Sequence, residues 1–132
     1  MKFTPFLICL FLIGCGPAIE VDKAKELAES LLDQMKTTIP AKMHDYYTEE
    51  FLSETPSEVW ASSLTYVTDS IGKVVSYKLT NSETTRASGK PATAKLYYDV
   101  KHSKYNSKHT FQVAFEDGKY RIKFHRIDPD SL

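Results

Sequence analysis

The chain has 132 residues, enough for one domain and a short extra segment. Hydrophobic residues make up 42% of it and charged residues 26%, which excludes a chain disordered along its whole length. Lysine plus arginine equal aspartate plus glutamate, at 17 each, and that neutrality argues against a nucleic-acid partner, which calls for a clear basic excess.

The first element is an apolar run. Lys2 supplies a positive start, and Phe3 to Ile13 is apolar except for Thr4 and Pro5. A bilayer-spanning helix needs about 20 apolar residues, so this run is too short to be one. It has the length of a signal-peptide core, about 7–15 residues. Pro5 and the break Gly14-Cys15-Gly16-Pro17 argue against a packed helix.

The stretch Leu12-Ile13-Gly14-Cys15 resembles the lipobox of bacterial lipoproteins. The resemblance implies a signal peptide over residues 1–14, diacylglyceryl transfer to the Cys15 thiol, cleavage before Cys15 and acylation of the new amino group. A small residue before the cut lets a peptidase reach the backbone, and the thiol carries the lipid. Two or three acyl chains, at about 0.8 kcal/mol per buried methylene, give stable anchoring. In two-membrane bacteria an aspartate after the cysteine often signals inner-membrane retention. Gly16 stands there instead, which points to the outer membrane with the domain facing the periplasm. Cys9 and Cys15 are the only cysteines, so the exported domain has no disulfide and rests on its apolar core.

Residues 15–20 read as a lipidated tether and 21–128 as a single domain, with 129–132 as a tail. From Asp22 to about Thr37, Ala24, Leu27, Ala28, Leu31, Leu32 and Met35 recur at helical steps, with Asp22 as N-cap. After Pro40 a second short helix is expected from about Ala41 to Phe51. Thr55-Pro56-Ser57-Glu58 reads as a capping box with proline at the first helical position, opening a third helix that Gly72 closes.

The period then switches to two. Val74 to Leu79 reads as a strand and Asn81 to Pro91 as a loop. Ala92, Ala94, Leu96, Tyr98 and Val100 alternate with polar neighbours as a half-buried strand, and Lys101 to Lys108 reads as a polar connection. Phe111, Val113 and Phe115 form the inner row of the next strand. Asp117-Gly118 is a two-residue hairpin turn, after which Tyr120, Ile122 and Phe124 alternate with Arg121, Lys123 and His125.

Helices first and antiparallel strands afterwards indicate an α+β fold, with N-terminal helices on a sheet of about four strands. This order resembles the cystatin-like cone of the nuclear transport factor two-like superfamily. The segment Phe111 to Ile122 is similar to the closing hairpin of such domains. Trp60 with Ile71-Gly72-Lys73 resembles small secreted members of unknown function. The resemblance implies a curved sheet wrapped on a long first helix, with a pocket at its wide end. It assigns no activity, because the fold hosts enzymes, binding modules and assembly domains.

Chemistry-bearing residues are sparse. His44-Asp45-Tyr46-Tyr47 is the only local cluster of acid, base and tyrosine, but consecutive helical residues diverge, so a solvated face is expected. His102, His109 and His125 read as surface or rim histidines; without cysteines or clustered carboxylates they make a poor metal set. Ser57, Ser62 and Ser63 lack a glycine elbow. No catalytic residue, metal ligand or cofactor is therefore expected. The eight tyrosines fit half-buried positions or a contact surface. Tyr97 and Tyr98 must face opposite sides of a strand, so Tyr97, with Lys95 and Asp99, marks an outer sheet face as the expected protein-partner surface.

Two functions fit this reading. One is a lipid-anchored, non-catalytic binding or scaffold protein, for instance an immunity-type lipoprotein that blocks a periplasmic toxin. The other is a small-molecule binder or enzyme using the cone pocket.

Overall fold

The computed structural model describes residues 19–86 and 89–130. The signal run, the lipobox and Cys15 lie outside the described residues. Helix α1 spans Val21–Gln34, a single 3-10 turn spans Met43–Asp45, α2 spans Glu49–Glu54 and α3 spans Ser57–Ile71. Four strands follow: β1 (Val74–Thr85), β2 (Thr93–His102), β3 (Asn106–Glu116) and β4 (Lys119–Pro129).

The strands form one antiparallel meander in the order β1-β2-β3-β4. The α+β reading with helices packed on four antiparallel strands stands; the cone does not. β1 and β4 remain separate edges, and the sheet is neither closed nor strongly curled. Its inner face is covered by α1, whose Ala24, Ala28, Leu31, Leu32 and Met35 are all buried. They pack with Ala94, Leu96, Tyr98 and Val100 of β2, Phe111 and Val113 of β3, and Ile122 of β4. Side chains therefore fill the space that a cone would leave open.

Several local expectations are corrected. Glu20, not Asp22, occupies the N-cap of α1, with Asp22 in the first turn, where a carboxylate favours the helix dipole. The helix expected over 41–51 is broken in two. The chain leaves the 3-10 turn at Tyr46, and Tyr47 bridges in parallel to Ile122 on the edge of β4. There Thr48 N–H donates to the Ile122 carbonyl (2.9 Å) and Ile122 N–H to the Tyr46 carbonyl (2.7 Å). Thr48 then caps α2, its hydroxyl accepting from Phe51 N–H at 3.0 Å. Pro56 sits at the N-cap of α3 without a side-chain cap bond, so Thr55 does not close a capping box. β1 runs on to Thr85, through half of the expected loop.

Two expected turns are observed. Asp117 and Gly118 both take positive φ, 52° and 74°, in the tight turn between β3 and β4. Gly72 ends α3 at φ 99°. A Cβ there would strike Ser103 Oγ and the backbone nitrogen of Lys104, because the β2–β3 turn docks on this helix end. Lys104 N–H donates to the Ile71 carbonyl at 2.9 Å and Ser103 N–H to the Lys73 carbonyl at 2.9 Å. The turn thereby satisfies a carbonyl at the end of α3.

One irregularity decides which side chains of β4 are buried. Gln112 pairs with Phe124, but Val113 pairs with Ile122, so Lys123 is an extra residue in the ladder. Such a bulge reverses the facing of everything beyond it. Ile122 is fully buried, Phe124 is 42% exposed, and His125 is only 6% exposed. Strict alternation expects the opposite for the last two.

Candidate functional site

The bulge completes a row of imidazoles across the inner face. His102 at the end of β2, His109 on β3 and His125 on β4 are all buried, which corrects their reading as surface or rim histidines. His102 Nδ1 lies 2.8 Å from the Gly72 carbonyl oxygen. Its Nε2 lies 2.8 Å from Ser107 Oγ and 3.2 Å from His109 Nε2. His109 Nδ1 lies 3.0 Å from His125 Nε2, and His125 Nδ1 lies 2.9 Å from the Tyr47 hydroxyl.

The proton positions follow from the ends of this chain. A carbonyl can only accept, so His102 Nδ1 carries its proton and donates to Gly72. Neutral His102 then accepts at Nε2, its one lone pair shared between the Ser107 hydroxyl and the more distant His109 Nε2–H. His109 in turn accepts at Nδ1 from His125 Nε2–H, and His125 accepts at Nδ1 from Tyr47 O–H. At the far end stands Trp60, whose indole N–H can only donate. It is buried without a hydrogen-bond partner. The Gly72 carbonyl, which only accepts, thus imposes one direction on every bond from Tyr47 to His102.

Electrostatics agrees with neutral rings. Burial pushes His125 down to about 3. Burial also lowers His109 far below the ordinary range, with repulsion from the His125 and His102 rings adding to it. His102 is lowered by burial and partly restored by its bond to Gly72. Burial raises the Tyr47 hydroxyl, against the favourable Trp60 N–H, so Tyr47 stays protonated. The surroundings are aromatic. Phe111 stacks on His125 at 4.2 Å between centroids, Trp60 meets it edge-on at 5.7 Å, and Phe51 stacks on Tyr47 at 4.7 Å.

Each imidazole gives one nitrogen to each neighbour, so the chain is linear and no point is shared by three nitrogens. Among the described residues no group of three or more histidine, cysteine or carboxylate side chains could hold a metal.

The remaining residues singled out in the sequence do not join this row. His44 and Asp45 are exposed on the 3-10 turn, where the His44 carbonyl accepts from Arg121 Nε at 2.9 Å. His44 borders an open cleft of about 390 Å³ shared with Glu49, Glu50, Glu116 and Arg121. Ser62 and Ser63 are exposed on α3, and Ser57 is half-buried at its start. Lys95, Tyr97 and Asp99 lie together on the outer sheet face. Lys95 Nζ sits 6.0 Å from the centre of the Tyr97 ring, and Asp99 pairs with Lys108 at 3.1 Å. Asp99 also belongs to a cross-strand row of alternating sign, Lys78-Asp99-Lys108-Asp128.

The sequence reading missed His102, His109, His125, Tyr47 and Trp60 as one constellation. For His102 and His109 a signal existed, since they share parity with the inner rows Ala94 to Val100 and Phe111 to Val113. In comparisons with protein-family models, curated proteins and solved structures, nothing matches this chain.

Proposed function

We propose that the protein is a lipid-anchored lipoprotein of the bacterial cell envelope, facing the periplasm, whose domain is a non-catalytic binding module. The observation that carries the proposal is Leu12-Ile13-Gly14-Cys15 directly after an apolar run of signal-peptide length. A packed start close behind the cysteine supports it. Ile19 is 8% exposed within the core cluster, and Glu20 N–H donates to the Tyr120 hydroxyl at 3.1 Å. Among the described residues no helix is long and apolar enough to cross a membrane. The binding surface we favour is the outer sheet face around Lys95, Tyr97 and Asp99. A tether to the membrane raises the effective concentration of nearby partners, so modest affinity suffices there.

The test is direct. Mass spectrometry of the protein isolated from bacterial membranes should find an acylated amino terminus at Cys15. Cys15→Ser should abolish the acyl chains and leave the leader uncut; unchanged processing and membrane attachment would refute the anchor. Crosslinking on intact cells should capture a protein partner that Tyr97→Ala with Asp99→Lys loses. Capture unaffected by that double change rules out this face.

A further inference from the structure

The buried imidazole chain is not needed for the proposed anchor or binding face. Two observations set it apart from an ordinary polar core. Every bond is already used in one direction between Tyr47 and Gly72, and among the described residues no charged side chain bonds to the rings.

The consequences of one added proton can be followed bond by bond. On His102 Nε2 it meets His109 Nε2–H, donor against donor. If His109 switches its proton to Nδ1, the clash moves to His125 Nε2–H. If His125 switches too, its Nδ1–H points at the Tyr47 oxygen, and the Tyr47 proton loses its acceptor. Trp60 offers none, because indole nitrogen only donates. Ser107 can accept from a protonated His102, which moves the orphaned donor along the chain and does not remove it. An unpaired buried donor costs about 1–3 kcal/mol, and an unpaired buried charge costs more.

The elements packed around the rings supply no counter-charge. The cover segment contributes Tyr47, with Phe51 stacked behind it, α3 contributes Trp60 and the Gly72 carbonyl follows it, and β3 contributes Ser107 and Phe111. Glu49, Glu50 and Glu54 of the cover and Glu58 of α3 are exposed, and other charges on flanking elements are bonded away from the rings. Glu29 and Asp33 of α1 accept from Tyr98 and Tyr77. Lys108 is bonded to Asp99, Arg126 to Asp128, and Lys104 to the Asp69 carbonyl.

We propose that this chain is an acid-operated latch: proton uptake by its imidazoles releases the Met43–Glu54 cover from β4, while α1 and the sheet stay joined. The cover is held to β4 by few bonds, although its Met43, Tyr47 and Leu52 are buried in the core. Its backbone is tied to β4 at one residue, Ile122, its one buried side-chain bond is Tyr47 to His125, and one further bond joins the His44 carbonyl to Arg121. Helix α1, by contrast, packs across all four strands. Opening would bare Tyr47, Phe51 and Trp60, an aromatic surface absent at neutral pH. The latch does not depend on the lipid anchor, and either can fail without the other.

Trp60 is the only tryptophan and touches His125, so all tryptophan emission comes from beside the latch. The full chain in detergent micelles would be followed from pH 7.5 downward by Trp60 emission, by far-UV circular dichroism and by hydrogen exchange at Thr48 and Ile122. Emission should change and those two amides should exchange at least ~10-fold faster at a common midpoint below about pH 6.5, with the dichroism retained. In His125→Gln and His109→Gln the step should shrink or move by about one pH unit or more. Three results would overturn the latch: no change in emission while the protein stays folded in acid, a step of unchanged size and midpoint in both variants, or dichroism lost in step with emission. Should the variants fail to fold, ring ¹⁵N shifts of the native protein decide. Buried rings that gain protons at the emission midpoint support the latch; rings that stay neutral through it exclude it.

Discussion

The two halves of the sheet bury polar side chains by opposite means. In the β1–β2 half, tyrosines cross the core and surface beside α1. Tyr98 O–H donates to Glu29 at 2.9 Å, and Tyr77 O–H donates to Asp33 at 2.8 Å. Each hydroxyl thus finds an ion at the solvent boundary, where water still helps to stabilise it. On β3, β4 and the last residue of β2, by contrast, the buried imidazoles bond only to one another and to uncharged groups. The first arrangement tolerates the loss of any one member, because a freed carboxylate turns to solvent. The second is closed, and every member depends on the next.

The pH response separates them further. A histidine lowered by burial rejects, in the folded protein, a proton that the unfolded chain accepts near pH 6.5. Its contribution to stability is therefore complete above that value and is lost as pH falls toward the folded value, about 3 for His125. Asp33 is lowered chiefly by its bond to Tyr77, so its contribution holds above its ordinary value of 3.8 and fades only below it. The same Asp33 raises Tyr77 to about 12, after burial as the larger cause. On acidification the imidazole half should weaken first.

The largest effect should come from cutting the closed chain in the middle. His109→Leu fills a similar volume but strands His125 Nε2–H and leaves His102 with Ser107 alone. We expect a loss of about 2–4 kcal/mol in urea unfolding, and a loss under about 0.5 kcal/mol would mean that the chain is not cooperative. Tyr98→Phe should cost less, about 1–1.5 kcal/mol, because Glu29 can be hydrated. Acid sensitivity near pH 5 should survive in that variant; its disappearance would place the acid response in the wrong half. Phe124→Ser should cost least, under about 0.5 kcal/mol. A cost of several kcal/mol would mean that Phe124, not His125, is the buried residue, and that the bulge at Lys123 is misplaced.

The parts of this molecule that obey simple periods were legible without coordinates. The buried row Ala94, Leu96, Tyr98 and Val100 follows from alternation, and α1 from its three- and four-residue steps. Asp117-Gly118 follows from turn chemistry. Three features escaped, each for a physical reason. His102 and His109 flank what read as a polar connection, because Lys101, Ser103, Lys104 and Lys108 dominate its composition while parity alone carried the burial. His125 required an insertion in the ladder, which alternation cannot reveal. Tyr47 sits in a segment that helical patterning joins into one piece, whereas the pairing with Ile122 pulls it straight. The cone failed for a different reason: element order fixes neither curvature nor closure. The outer face of Lys95, Tyr97 and Asp99 was placed correctly by strand geometry, but placement says nothing of what binds it.

The bond of Glu20 to the β3–β4 hairpin would set how the domain stands if the proposed anchor holds it. Glu20 is bonded to Tyr120 near one end of the sheet, whereas Asp130 is bonded to Asn106 at the other. With Cys15 held in a bilayer, the few residues from Cys15 to Ile19 reach about 14 Å at most. The hairpin and its cleft would then rest close to the lipid headgroups. β4 climbs away from them for 11 residues, on the order of 30 Å. Held in that way, the domain would stand upright, with Asp130 and the β2–β3 turn at its summit. A fluorophore at the summit and another in the bilayer would read that height.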